Sequence, residues 1–184
     1  EDFIVKGLVG VPEEVGSRIL GYPVLGSDEN MRMLLGDCKN ALVAVGQIKT
    51  PELRMRLFDQ LQKNGFFLPV IVSPHAYVSP HAKLDVGTIV MHGAVVNAGA
   101  VVGKNCIINP RVLIEHEAIV ASHCHISTGV IINGNANIGL GSFVGSGSFI
   151  NQGVRLGSGC VVDMGIAVRH HYSENSLILT DDES

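Results

Sequence analysis

From Val78 onward every sixth residue is aliphatic: Val78, Leu84, Val90, Val96, Val102, Ile108, Ile114, Val120, Ile126, Ile132, Ile138, Val144, Ile150, Leu156, Val162 and Val168. An α-helix repeats every 3.6 residues and a strand every two, so neither alone gives a strict six across residues 78–168. A parallel β-helix does, because each hexad supplies a short strand and a bend while its aliphatic side chain fills the interior. Two positions earlier the residue is mostly small: Ala76, Ala82, Thr88, Ala94, Ala100, Cys106, Ala118, Cys124, Ala136, Ser142, Ser148 and Cys160, with Val112, Val130, Val154 and Ile166 as larger members. A second position of each hexad therefore also faces inward.

Three hexads per coil predict a triangular prism of about five coils, in which residues one coil apart stack at roughly 4.8 Å. Gly103, Asn109, Asn133, Gly139, Gly145, Asn151 and Gly157 directly follow an aliphatic position and are read as the bends, where Gly or Asn accepts a positive φ. Cys106, Cys124 and Cys160 share one inward column and are expected to be buried free thiols. No CxxC or other zinc spacing accompanies them.

Composition narrows the partners. The net charge of −4 comes without a basic cluster, so nucleic acid is not expected. No run reaches the roughly 18 apolar residues of a membrane span, and no charged–apolar–small leader opens the chain. A cytoplasmic protein without membrane attachment is the expectation.

Residues 1–70 obey other rules. "DFIVKGLVGV" and "NALVAVG" read as short buried strands, "SDENMRMLLG" and "TPELRMRLFDQLQKNG" as helices. The second helix has Thr50 as N-cap, Pro51 at the first helical position, a stripe of Leu53, Leu57, Phe58 and Leu61, and Gly65 past its end. This predicts a small Rossmann-like α/β domain, incomplete because its first strand and glycine-rich turn are missing. A solenoid domain over 71–168 and a tail over 169–184, ending in a last strand or irregular chain, complete the expected division. The fold class is mainly β, a parallel β-helix preceded by that α/β piece.

Among the eight histidines, His116 stands out. It follows the inward Ile114 by two and so projects outward, between Glu115 and Glu117, and one coil on its neighbour is Gly134, which has no side chain to obstruct a ligand. A histidine with one free nitrogen, oriented by a carboxylate, is the usual form of a general base. Glu115 shares the bend column with Asn97, Asn133 and Asn151 and reads as structural, leaving Glu117 as partner of the base. His125 is half a coil away, on another face, and could meet His116 only across a subunit boundary. His75, His81, His92, His170 and His171 read as surface residues. From spacing alone, His116 as a base and His116 as a surface residue stand about level.

The combination "GSRILGYPVLG", then "NPRVLIEHEAIVASHCHISTGVIINGNANIG" within the hexads, resembles the bacterial sugar acyltransferases of the sialic acid O-acetyltransferase and bacillosamine N-acetyltransferase group, over residues 17–165. The resemblance implies a homotrimer of left-handed β-helices using acetyl-CoA, without metal, to acetylate an amine or hydroxyl of a nucleotide-linked or nonulosonic sugar in surface-glycan biosynthesis, with sites between subunits. By position it implies His116 as base and Glu117 as its orienting carboxylate. Asn109 and His125 would lie beside the acetyl donor or acceptor, and the Gly134 N–H on the thioester carbonyl. The chain departs from the group at "GLVGVPEE", where Val11 replaces an expected acid, and at the terminal "AVRHHYSENSLILTDDES". Two other readings stay open: a γ-carbonic-anhydrase-like zinc protein using His116, His123 and His125, and a catalytically silent scaffold.

Overall fold

A computed structural model describes residues 3–34, 36 and 38–179 of the chain. The hexads form three parallel sheets that wrap one apolar column. The first face stacks Ile71–Val72, Ile89–Val90, Ile107–Ile108, His125–Ile126, Phe143–Val144, Val161–Val162 and Leu177–Ile178. The second stacks Tyr77–Val78, Val95–Val96, Leu113–Ile114, Ile131–Ile132, Phe149–Ile150 and Ala167–Val168. The third stacks Lys83–Leu84, Val101–Val102, Ile119–Val120, Asn137–Ile138 and Arg155–Leu156. Each strand pairs in parallel with the strand one coil away, as Ile107 with His125 and Ile119 with Asn137. Both inward columns lie where the hexads place them: from Val90 to Val168 the aliphatic series is buried, and so is the small column from Thr88 to Ile166. The buried thiols are free, and burial raises those of Cys124 and Cys160.

The corners correct one expectation. The left-handed residue is not the one after the aliphatic position but the third after it: Gly87, Gly93, Gly99, Asn105, Arg111, Glu117, His123, Gly129, Asn135, Gly141, Gly147, Gly153, Gly159 and Gly165 all have φ between 54° and 76°. The glycines directly after the aliphatic serve a different need. A Cβ on Gly139 would stand 2.3 Å from the Gly157 carbonyl carbon, and one on Gly103 2.6 Å from the Ser122 nitrogen, so these positions are kept bare by the coil above.

Beyond Val168 the hexads end but the coil does not. Tyr172 bridges Leu156, and Leu177–Ile178 pairs with Val161–Val162, so this last coil takes 16 residues instead of 18.

The amino-terminal part differs from a Rossmann-like unit. Leu8–Gly10 pairs in parallel with Tyr22–Ser27, which also pairs antiparallel with Arg18–Ile19, giving a small mixed sheet. "GLVGVPEE" folds as that first strand and a 3-10 turn, Pro12–Glu14, whose Glu14 carboxylate accepts the Val11 N–H. "SDENMRMLLG" gives a 3-10 turn, Asp28–Asn30, running into the short helix Met31–Leu34. "NALVAVG" forms no strand beyond one bridge of Asn40 with Phe67. Only Val43 of that run is buried, and its carbonyls turn to an arginine rather than to a sheet.

That arginine belongs to helix Glu52–Lys63, where Thr50 Oγ1 accepts the Glu52 N–H at 3.3 Å. The buried stripe is Arg54, Leu57, Phe58 and Leu61, which follows i, i+3, i+4, i+7, while the expected Leu53 faces solvent. The helix lies along the corner between the third and first faces. A Cβ on Gly87 would meet the Phe58 ring at 2.8 Å, and one on Gly141 would meet Pro51 at 2.8 Å. Among the described residues no helix is long and apolar enough to cross a membrane.

Candidate active site

The corner between the second and third faces carries His116 and Glu117. His116 follows strand Leu113–Ile114 by two residues, and its ring lies over Gly134 of the next coil. A Cβ there would stand 2.6 Å from both His116 Cε1 and Nε2, so only glycine admits the ring. Nδ1 faces Glu117 Oε2 at 3.6 Å, both side chains being more than half exposed, at 58% and 65%. This leaves Nε2 over Gly134, turned away from the carboxylate. Gly134 gives its carbonyl to the Gly153 N–H, and among the described residues no hydrogen bond takes its own N–H.

Glu117 occupies the left-handed position with φ 59°, in a column otherwise made of Gly99, Asn135 and Gly153. A non-glycine residue there costs about 1–2 kcal/mol, and such strain collects at functional sites. Glu115, by contrast, accepts the Asn97 Nδ2–H at 2.8 Å within the bend column, as a structural residue would.

His125 and Asn109 are together but lie elsewhere, at the first face. His125 Nδ1 donates to the Gln47 carbonyl at 2.5 Å, and Nε2 accepts the Asn109 amide at 2.7 Å. The ring also meets Phe143 edge-on at 5.2 Å between centroids. Burial holds His125 below the ordinary histidine range, the Gln47 carbonyl opposing it. Within one chain the five expected residues thus form two groups: His116, Glu117 and Gly134 at one corner, His125 and Asn109 on the first face.

His123, the third histidine of the zinc reading, is buried at the helix corner. Its Nδ1 contacts Asn105 Nδ2 at 2.9 Å and its ring meets Phe58 edge-on at 5.5 Å. Burial pulls its pKa down, with Lys104 adding to the effect. The three histidines therefore do not converge in one chain, and among the described residues no three side chains of metal-ligating type do. The surface histidines are exposed; His92 Nδ1 is hydrogen-bonded to Ser73 Oγ at 2.6 Å, and His171 Nδ1 accepts the Arg155 N–H.

No family model matches the sequence, and no curated protein matches it. Solved structures do. The acetyltransferase domain of PglB from Neisseria gonorrhoeae, in complex with acetyl coenzyme A, is 29% identical with a TM-score of 0.85, over 93% of this chain and 82% of that one. A variant of the perosamine N-acetyltransferase of Caulobacter crescentus, with CoA and GDP-perosamine, is 29% identical with a TM-score of 0.84, over 88% and 77%. PerB from Caulobacter crescentus, with the same two ligands, is 30% identical with a TM-score of 0.83, over 86% of this chain and 76% of that one. The chain belongs to the hexapeptide-repeat sugar acetyltransferases.

The structure of this acetyltransferase adds polar residues that sequence patterning missed. Arg54 is fully buried: Nη1 donates to the carbonyls of Val43 and Val45, and Nη2 to both the carbonyl and the Oδ1 of Asn105. Burial lowers its pKa to about 10, so it stays charged at neutral pH. Gln47 is buried beside it, donating from Nε2 to the carbonyls of His123 and Gly141 at 3.0 and 3.3 Å. Asn105, His123 and Gly141, which these two side chains reach, lie 51 to 94 residues away in the enzyme, beyond any local pattern.

Proposed function

We propose that the chain transfers an acetyl group from acetyl-CoA to the amine of a nucleotide-linked amino sugar, by direct attack with His116 as general base. The observation that carries this reading is the His116–Glu117–Gly134 corner. A strained glutamate faces one ring nitrogen, and a glycine whose absent side chain makes room for the ring lies beneath the other. The acceptor amine attacks the thioester carbon while Nε2 of His116 takes its proton. The Gly134 N–H stabilises the tetrahedral oxyanion, and collapse expels the CoA thiolate, which recovers the proton from the imidazolium. Asn109 and His125 serve the donor and acceptor from the first face.

Binding by relatives supports both co-substrates: the neighbours were solved with acetyl-CoA or with CoA and GDP-perosamine. The "IEHEAIV" and "HCHIS" stretches support placement near the sialic acid and bacillosamine branch. A homotrimer is the matching assembly. It would bring the two groups of site residues together, and apolar side chains exposed on the faces that flank the corner support it: Tyr77, Ile131 and Phe149 on the second, Val101 and Ile119 on the third. Acetyl-CoA use favours the cytoplasm.

The test is thiol release from acetyl-CoA across a panel of nucleotide-linked amino sugars, with the product identified by mass. Acetylation by wild type and none by His116→Ala is the expected result. Equal rates from the two proteins would remove His116 from the chemistry.

A further inference from the structure

The first face holds a chain of hydrogen bonds whose polarity is set from one end. A backbone carbonyl only accepts, so the contact of Gln47 O with His125 Nδ1 requires the proton on Nδ1. Nε2 of the neutral ring is then a lone pair and must accept from Asn109 Nδ2. The second Asn109 N–H goes to the Ile126 carbonyl at 3.2 Å, so both amide protons are used inside the protein. Oδ1 of Asn109 is the group left for a ligand, and it accepts only.

What fixes the Gln47 carbonyl is the Gln47 side chain. Its amide straddles two coils through the His123 and Gly141 carbonyls, and the adjoining chain is held by Arg54 at Val43 and Val45. Arg54 also grips Asn105, whose amide reaches His123. The non-repetitive segment is thereby pinned at a defined height on the solenoid.

We propose that Gln47 is a positioning residue: by fixing the tautomer of His125 it turns Asn109 so that its carbonyl oxygen, not its N–H, meets the substrate. The ligand group at this point is consequently a hydrogen-bond donor, such as an amine, hydroxyl or amide N–H of acceptor or pantetheine. The proposal rests on the transferase reading only for the last of these links; the tautomer belongs to the free protein.

The experiment is a long-range nitrogen–proton NMR spectrum of histidine-labelled protein, with His125 assigned through His125→Asn. Wild type should show His125 neutral with the proton on Nδ1. Gln47→Ala and Gln47→Glu, the second keeping the volume but facing carboxylate oxygens toward two carbonyls, should populate the Nε2–H form. Acetyl transfer should fall between about 10- and 100-fold, in kcat with KM for acetyl-CoA within about 2-fold where the donor group is the acceptor's, and with a raised KM for acetyl-CoA where it is a pantetheine amide. Wild type with the proton on Nε2, or a tautomer unchanged in both variants, overturns the proposal. If the tautomer responds as stated while no protein transfers acetyl groups, the transferase reading fails and the positioning stands.

Discussion

Two corners of the prism break the same rule for opposite reasons. At the second-to-third corner Glu117 takes the left-handed position with φ 59°; at the third-to-first corner His123 takes it with φ 62°. Most other coils place glycine there. His123 is buried and its ring packs against Phe58, so its strain is offset by docking the helix. Glu117 is exposed and its carboxylate faces His116. At His123 the strain is offset by burial in an assembly joint; Arg111 also takes the conformation in solvent, with φ 61°, and what sets Glu117 apart from it is the facing His116 ring.

Substitutions can break this contrast. His116→Ala should have the largest effect, lowering turnover by about 10²–10⁴-fold with the urea midpoint unchanged, as steady-state kinetics beside denaturant titration would show. A lost midpoint would put His116 among the joint residues. Next, Arg54→Met should cost about 3–5 kcal/mol, since it strands the carbonyls of Val43, Val45 and Asn105 in a buried joint. A cost under about 1 kcal/mol would mean that the joint does not hold the helix.

The same exchange at the two corners sharpens the point. Glu117→Gly relieves about 1–2 kcal/mol of backbone strain, against about 0.5–1 kcal/mol of added chain entropy, so stability should hold or rise slightly while turnover drops. His123→Gly relieves the same strain but removes a buried ring and its bond to Asn105, and should destabilise by about 1–3 kcal/mol. Denaturation curves moving in the same direction would erase the distinction.

The smallest effect is in pH. His123 and His125 have folded pKa values below the ordinary histidine value, burial being the main cause. The unfolded chain takes up protons first as pH falls past about 6.5, so their stability is fully present above that pH and is lost on acidification. Urea midpoints followed from about pH 8 to about pH 5 should decline on the acid side. His123→Asn, which tolerates the left-handed backbone, should make the decline shallower. An unchanged slope would show that His123 is not the buried titrating group.

The solenoid core was legible because a six-residue period has one physical solution, and His116 over Gly134 followed from the 18-residue column. The corner conformation was not legible. Glycine fills both the first and third positions after the aliphatic, once to let coils approach and once to allow a positive φ, and sequence alone does not separate the two needs. Three of the four stripe residues of the helix were legible; the fourth was misplaced because Leu53 outranks Arg54 on hydrophobicity, although the carbonyls left by "NALVAVG" require a donor. The Gln47–His125 link was hidden for another reason: its ends are 78 residues apart.

The shortened last coil also says where this scaffold can be edited. Two residues fewer between Val162 and Ile178 leave Ile178 buried and Leu177 exposed, so the faces keep their inside and outside while the corners absorb the change. Length is a property of the corners, and parity a property of the strands. New loops meant to alter which sugar is accepted therefore belong at a corner, where the solenoid already tolerates a miscount.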